Sequence, residues 1–218
     1  MAKITASAHR FTLIIAAVLA VSAGMFTWHE FSKSPDADPT AKLTTHQATV
    51  LPIFKKLQPF SLTDHRGKPF DNQTLTGQWT FLNFGYTYCP DVCPTTLAML
   101  AAMDDKLQSI KTVQPYQIAF VSIDPERDSQ QQLAEYVTHF KPTWLGVTGP
   151  DEALKHLTQP LGILYARVGR DNDSQNYVMD HSASIVLVDP QGRYHALFSP
   201  PHDAGYLADD FITITNNY

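Results

Sequence analysis

The sequence predicts an α/β fold, a central mixed sheet flanked by helices, preceded by an N-terminal membrane anchor. Three observations carry this expectation. Trp79–Gly85 and Ile118–Ile123 are short runs of bulky apolar residues, as expected of central strands buried on both faces. Between and after them, apolar residues recur at helical spacing, first at Leu97, Leu100, Ala101, Leu107 and Ile110, then at Leu133, Tyr136, Val137 and Phe140. Near the C-terminus, Asp189-Pro190-Gln191-Gly192 separates Ser184–Val188 from Tyr194–Phe198, which is a hairpin signal.

Along the chain, Lys3 and Arg10 precede Phe11–Trp28, a run of 18 residues without a charge. That length lies at the boundary between a signal-peptide core and a membrane span. Val21-Ser22-Ala23 resembles a cleavage site, and a cleaved export signal is the alternative. The apolar run continues through Met25, Phe26 and Trp28, which favours an uncleaved anchor over residues 1–28. Basic residues before the span and Glu30, Asp36 and Asp38 after it put the N-terminus inside and the rest outside. Either outcome places the body of the chain in an exported compartment that permits disulfides.

Residues 29–56 read as a linker, rich in Ser, Thr, Asp and Pro as far as about Val50. The folded domain is expected over 57–218. It begins with a small hairpin, Pro59–Thr63 and Lys68–Phe70, around Asp64-His65-Arg66-Gly67. The strand Trp79–Gly85 and a helix over 94–110 follow, then the strand Ile118–Ile123. Ser129-Gln130-Gln131-Gln132 has the form of a capping box before the next helix. Asp151 to about Gln159 reads as a short helix, and residues 203–215 as a last one. A βαβ unit followed by an antiparallel hairpin and a helix matches a thioredoxin-like fold.

Composition excludes several classes. With 44% hydrophobic and 17% charged residues, disorder along the whole chain is ruled out. A net charge of −5 leaves no basic footprint for nucleic acid. Two cysteines are too few for a disulfide-stapled scaffold, so the pair itself is what needs explaining.

Cys89-Pro90-Asp91-Val92-Cys93-Pro94 lies between the first central strand and its helix. Pro94 suits the first helical position, where an N–H is unpaired anyway, which places Cys93 at the N-cap and Cys89 in the loop before it. The positive end of a helix favours thiolate, and thiolates are both the nucleophiles of disulfide exchange and the ligands of soft metals. Three readings compete. A structural disulfide would close so small a loop that it removes little unfolded-state entropy. A redox dithiol and a metal site are not separated by the spacing, and the metal needs a further ligand.

The candidate for that ligand is His181, in a loop directly before the strand Ser184–Val188. In a thioredoxin-like fold that loop faces the helix start bearing the cysteines. Two thiolates and an imidazole suit copper, or zinc with an open fourth position. The competing reading of His181 is a solvated loop histidine. Asp180 is a candidate to orient the imidazole, or a simple turn residue. His139, His156 and His195 read as structural or solvated and His202 as a capping residue of the last helix; Met179 is a candidate soft ligand whose competing reading, packing, is favoured. Asp124–Asp128 reads as a loop in which Asp128 or Ser129 caps a helix and Arg127 pairs with a carboxylate, with contact to a partner as the alternative.

Three of these segments carry a resemblance. Phe84–Leu97, reading FGYTYCPDVCPTTL, resembles the signature of the Sco/SenC family of copper-binding assembly proteins. Ser122–Asp128 (SIDPERD) resembles the family's second block, and Asp180-His181-Ser182 its third. The resemblance runs from about Phe60 to Leu207, and the N-terminal anchor fits the family's layout. It implies a thioredoxin-like fold and copper, as Cu(I) or Cu(II), held by Cys89, Cys93 and His181. It also implies a role in maturing the binuclear copper centre of cytochrome c oxidase, by delivering copper, by reducing the target's cysteines, or both. The implied partners are oxidase subunit II or another cuproprotein, together with other copper carriers. The implied location is a bacterial inner membrane with the domain facing the periplasm. A copper chaperone rather than a multiple-turnover enzyme is the expected function. The alternative is a thiol:disulfide oxidoreductase in which Cys89 and Cys93 form the redox pair. Two departures stand out. Tyr88 occupies a position where many members carry His or another residue, and Ser182-Ala183-Ser184 lacks the proline that thioredoxins usually place before the facing strand.

Overall fold

The computed structural model describes residues 43–110, 113–169 and 177–218. The expected anchor and residues 29–42 of the expected linker lie outside them. The strands are β1 (Ala48–Lys56), β2 (Ser61–Asp64), β3 (Pro69–Asp71), β4 (Trp79–Gly85), β5 (Tyr116–Ser122), β6 (Leu145–Thr148), β7 (Tyr165–Val168), β8 (Val178–His181), β9 (Ile185–Val188) and β10 (Arg193–Phe198). The helices are α1 (Val92–Gln108), α2 (Gln130–Phe140), α3 (Asp151–Thr158) and α4 (Ala204–Asn216). Among the described residues no helix is long and apolar enough to cross a membrane.

Eight strands form one mixed sheet in the order β1-β10-β9-β4-β5-β6-β2-β3. β4 pairs parallel with β5 and antiparallel with β9, and β5 pairs parallel with β6. This is the predicted βαβ unit extended by the predicted hairpin. Every residue of β4 is buried, because helices or loops cover both of its faces. Alternation along the strands sorts side chains into two layers. Phe81, Ile118, Phe120 and Leu187 meet Leu97, Leu100 and Leu107 of α1, Leu133 and Val137 of α2, and Phe211 of α4. Leu82, Phe84, Val121 and Val186 meet Leu154 and Leu157 of α3 and the small hairpin residues Leu62 and Phe70.

Three boundaries differ from the sequence reading. The stretch 48–56, read as the end of the linker, forms the edge strand β1 against β10. Its start is fixed by Asp210 of α4, whose carboxylate accepts the backbone N–H groups of His46, Gln47 and Ala48 at 2.7–2.8 Å. α1 begins at Val92, so Cys93 lies inside the first turn rather than at its N-cap, which is Asp91. Pro94 is still within the turn whose N–H groups have no helical partner. His181 closes the short strand β8 instead of lying in a loop. β7 and β8 pair only with each other, as a two-stranded ribbon separate from the main sheet.

Candidate metal centre

β4 and β5 run parallel, and their carboxyl ends open at the same edge of the sheet, where loops of α/β proteins gather their ligands. The loop Tyr86–Asp91 leaves β4 there and turns into α1. Cys89 N–H bonds back to Tyr86 O at 3.2 Å, which curls the loop. The Sγ of Cys89 then accepts the backbone N–H of Cys93 at 3.4 Å, in the first turn of α1. Asp91 makes no side-chain cap, so the Cys89 sulfur occupies the capping direction.

The two thiols are tuned in opposite directions. Burial opposes ionisation of Cys89, but the N–H groups of Asp91, Cys93 and Val92 and the Cys93 thiol outweigh it and hold Cys89 below the ordinary thiol range. Burial, only partly offset by the Tyr86 N–H, pushes Cys93 far above that range. Both are free thiols, Cys89 partly exposed and Cys93 buried. Gly85 makes room for Cys93, since a Cβ there would lie 2.7 Å from its sulfur.

His181 enters from β8. Its Nε2 lies 3.6 Å from Cys93 Sγ, and its Nδ1 donates to the backbone oxygen of Ser182 at 3.1 Å. That tautomer leaves the Nε2 lone pair pointing into the site, as a metal-binding imidazole requires. The two sulfurs and the imidazole nitrogen all lie within 4.8 Å of one another, the one such group among the described residues. Two soft sulfurs and a borderline nitrogen, with no carboxylate, fit Cu(I) or Cu(II) and do not fit a hard cation.

The structure redistributes the other candidates. Asp180 is exposed, and the orienting partner of His181 is the Ser182 carbonyl instead, because Asp180 points to the opposite face of β8. His202 does not cap α4, whose N-cap is Asp203; its Nε2 donates to Ala183 O at 2.8 Å and steadies the stretch after His181. His139 and His156 are exposed. His195 is buried far from the cysteines, against Asp189 at 3.4 Å and stacked on Phe54. Met179 packs against the core. Ser129 caps α2, and Arg127 pairs with Asp124, as read from the sequence. Tyr88 stands at the rim, 55% exposed.

Two residues around the site escaped the sequence reading. Tyr86, 1% exposed, sits behind all three donors: its N–H faces Cys93, its phenol contacts Cys89, and its ring meets the His181 ring edge-on at 6.1 Å. Asp128 fixes the cysteine loop by accepting from Thr87 Oγ1 and Ser122 Oγ, both at 2.6 Å, and from the Thr87 N–H. Only its distance in space from Thr87, not its spacing of 41 positions, reveals that role.

Comparison with known proteins places this geometry in context. The sequence model of the SCO1/SenC family matches residues 52–216. The chain is 39% identical over 137 residues to the SCO2-like protein of Rickettsia prowazekii, covering 62% of this chain and 65% of that protein. It is 36% identical over 160 residues to the mitochondrial SCO1 homolog 1 of Arabidopsis thaliana, covering 73% of this chain and 47% of that protein. The chain thus spans between about half and two thirds of these relatives. Among solved structures, Arabidopsis thaliana ScoI with copper bound superposes with a TM-score of 0.68 at 35% identity, over 74% of this chain and 98% of that one. Yeast Sco1 with copper bound gives a TM-score of 0.70 at 29% identity, over 75% and 90%.

Proposed function

From the premise that this chain belongs to the SCO1/SenC family, we propose that it is a copper chaperone whose donors are Cys89, Cys93 and His181, and that it assists maturation of the binuclear copper centre of cytochrome c oxidase. The observation that carries the reading is the convergence of two sulfurs and an imidazole nitrogen within 4.8 Å, on a fold shared with copper-bound relatives.

Asymmetric exposure suits stepwise handover. Cys89 is partly exposed and is the donor an incoming ligand reaches first. Cys93, 2% exposed and set close against Gly85, is the donor that releases last. Copper is the cargo, and the protein's part is to hold three donors in an open arrangement that a partner's thiolates or imidazoles displace one at a time. The partner is oxidase subunit II or another cuproprotein. The setting is the outer face of a bacterial inner membrane, to which residues 1–28 would anchor the chain.

A direct test loads the full chain with copper in detergent and mixes it with the reduced, copper-free soluble domain of oxidase subunit II. Appearance of the target's binuclear-copper absorption, with copper lost from this chain, is the expected result. No transfer above that from free copper under the same chelator would sink the chaperone reading.

A second reading has its own support. Two unbridged thiols lie side by side with one partly exposed, an arrangement that also suits a thiol:disulfide oxidoreductase keeping an exported target reduced. Reduction of the oxidised subunit II domain by the copper-free chain, at a rate unchanged in His181→Ala, would move the assignment there.

A further inference from the structure

His181 is the one donor that the main sheet does not hold. β7 and β8 pair only with each other, so no backbone ladder fixes His181 relative to the cysteine loop. Packing holds it only in part: Met179 and Tyr165 reach the core and the Tyr86 ring meets His181 edge-on. A cavity of about 380 Å³ lies under the ribbon, lined among others by Ile123, Glu126, Tyr165, Tyr177 and Met179. Side-chain ties therefore share in setting where His181 stands. Those nearest the surface, Arg167 to Glu126 at 3.2 Å and Tyr165 to Asp151 at 2.7 Å, are exposed and contribute little rigidity.

We propose that Arg127 is a positioning residue for the donor set, its guanidinium tying the strand that carries His181 to the loop that carries Cys89. The proposal rests on the reading of these residues as copper donors. Arg127 reaches the ribbon in two ways. Its Nη1 donates to Tyr177 O at 3.0 Å, and its guanidinium carbon lies 3.6 Å from the centre of the Tyr177 ring. It reaches the cysteine loop through the rings of Tyr88 at 5.0 Å and Tyr86 at 5.5 Å. Its own place is set by Asp124, which accepts from Arg127 Nε at 2.6 Å and from Tyr177 OH at 2.5 Å. The Arg127 and Asp124 side chains are 7% and 2% exposed, so this tie is shielded from water and salt.

The guanidinium is the required group. A planar fork donates in two directions within its plane while its faces receive aromatic rings, and a lysine ammonium cannot do both. Tyr177 directly precedes β8, four positions before His181, so a displacement of Tyr177 pulls on the strand that carries His181.

The test compares the full chain with Arg127→Lys and with the double variant Arg127→Met, Asp124→Asn, which removes both buried charges together and avoids an unpaired carboxylate. The first readout, on reduced copper-free protein, is amide hydrogen exchange. Exchange across 177–182 is expected to rise on the order of tenfold in both variants, with β4 and the middle of α1 unchanged. The second readout is copper release to a chelator, expected to be faster by a similar factor. Tyr177→Phe, which keeps the ring but loses the bond to Asp124, should give a smaller rise. Unchanged exchange at 177–182 in both Arg127 variants would overturn the proposal, as would full restoration by lysine. An equal rise in the core strands would reduce Arg127 to a general stabiliser and equally overturn it. If the wild-type chain binds no copper, the exchange measurement still judges Arg127, while the copper reading fails separately.

Discussion

The Nε2 of His181 stands 3.6 Å from the Sγ of Cys93, across a sequence separation of 88 residues. The distance is that of a hydrogen bond to sulfur in the copper-free chain, and it also brings the two atoms close enough to act as donors to one ion. His181→Ala removes a donor while leaving the sheet untouched. Copper affinity should fall by about 100-fold or more, past the range typical of losing a group that merely supports a ligand. Competition against a chelator of known affinity measures it. An unchanged affinity would remove His181 from the site.

Asp128 is 1% exposed, and burial raises its pKa despite the hydrogen bonds from Ser122 and Thr87 that favour the charged form. Asp128→Ala would strand the Thr87 N–H and two hydroxyls. A loss of about 2–3 kcal/mol in urea unfolding is expected. The Cys89 loop should also lose protection from hydrogen exchange, since Thr87 lies two residues away.

Gly85→Ala probes the wall behind Cys93. The new methyl group would lie 2.7 Å from Cys93 Sγ and 2.9 Å from Phe120. One of them must move, and overpacking of this kind costs about 1–3 kcal/mol. Because the sulfur is the nearest atom, copper binding should weaken by more than the stability loss alone produces. Thermal melts with and without copper separate the two effects.

Asp189 supplies a pH dependence far from the donors. Burial opposes its charge, but hydrogen bonds from His195, Arg193 and Gln191 outweigh that and hold its pKa below the ordinary 3.8. A depressed carboxylate stabilises the fold above the unfolded-state value, and the contribution is lost as pH falls through the folded-state value. The stability gap between wild type and Asp189→Asn should therefore be constant near neutrality and shrink below about pH 4. Urea unfolding from about pH 3 to pH 7 checks this. A gap independent of pH would show that Asp189 acts through its shape alone.

The central strands were legible because burial on both faces leaves a run dominated by bulky apolar residues, as along Trp79–Gly85, where only Thr80 and Asn83 are polar side chains. The capping at Ser129 was legible because it is local, a bond to Gln132 three residues on. β1 was not, because an edge strand with Pro52 and a register shift between Val50 and Lys55 has no clean alternation. β8 was missed because it has four residues, two of them exposed, and pairs only with β7. The donors themselves were named by motif resemblance. What the sequence did not disclose is how they are held: Tyr86 behind them, Asp128 under the loop and Arg127 across to Tyr177 all act between segments distant in the chain.

The most direct measurement is a copper titration of the reduced full chain, reading bound metal per chain and the thiolate-to-copper absorption together. One copper per chain with a thiolate band is expected, and loss of tight binding when Cys89, Cys93 or His181 is replaced by Ala. Substoichiometric copper without a thiolate band, or binding that survives all three replacements, would contradict it.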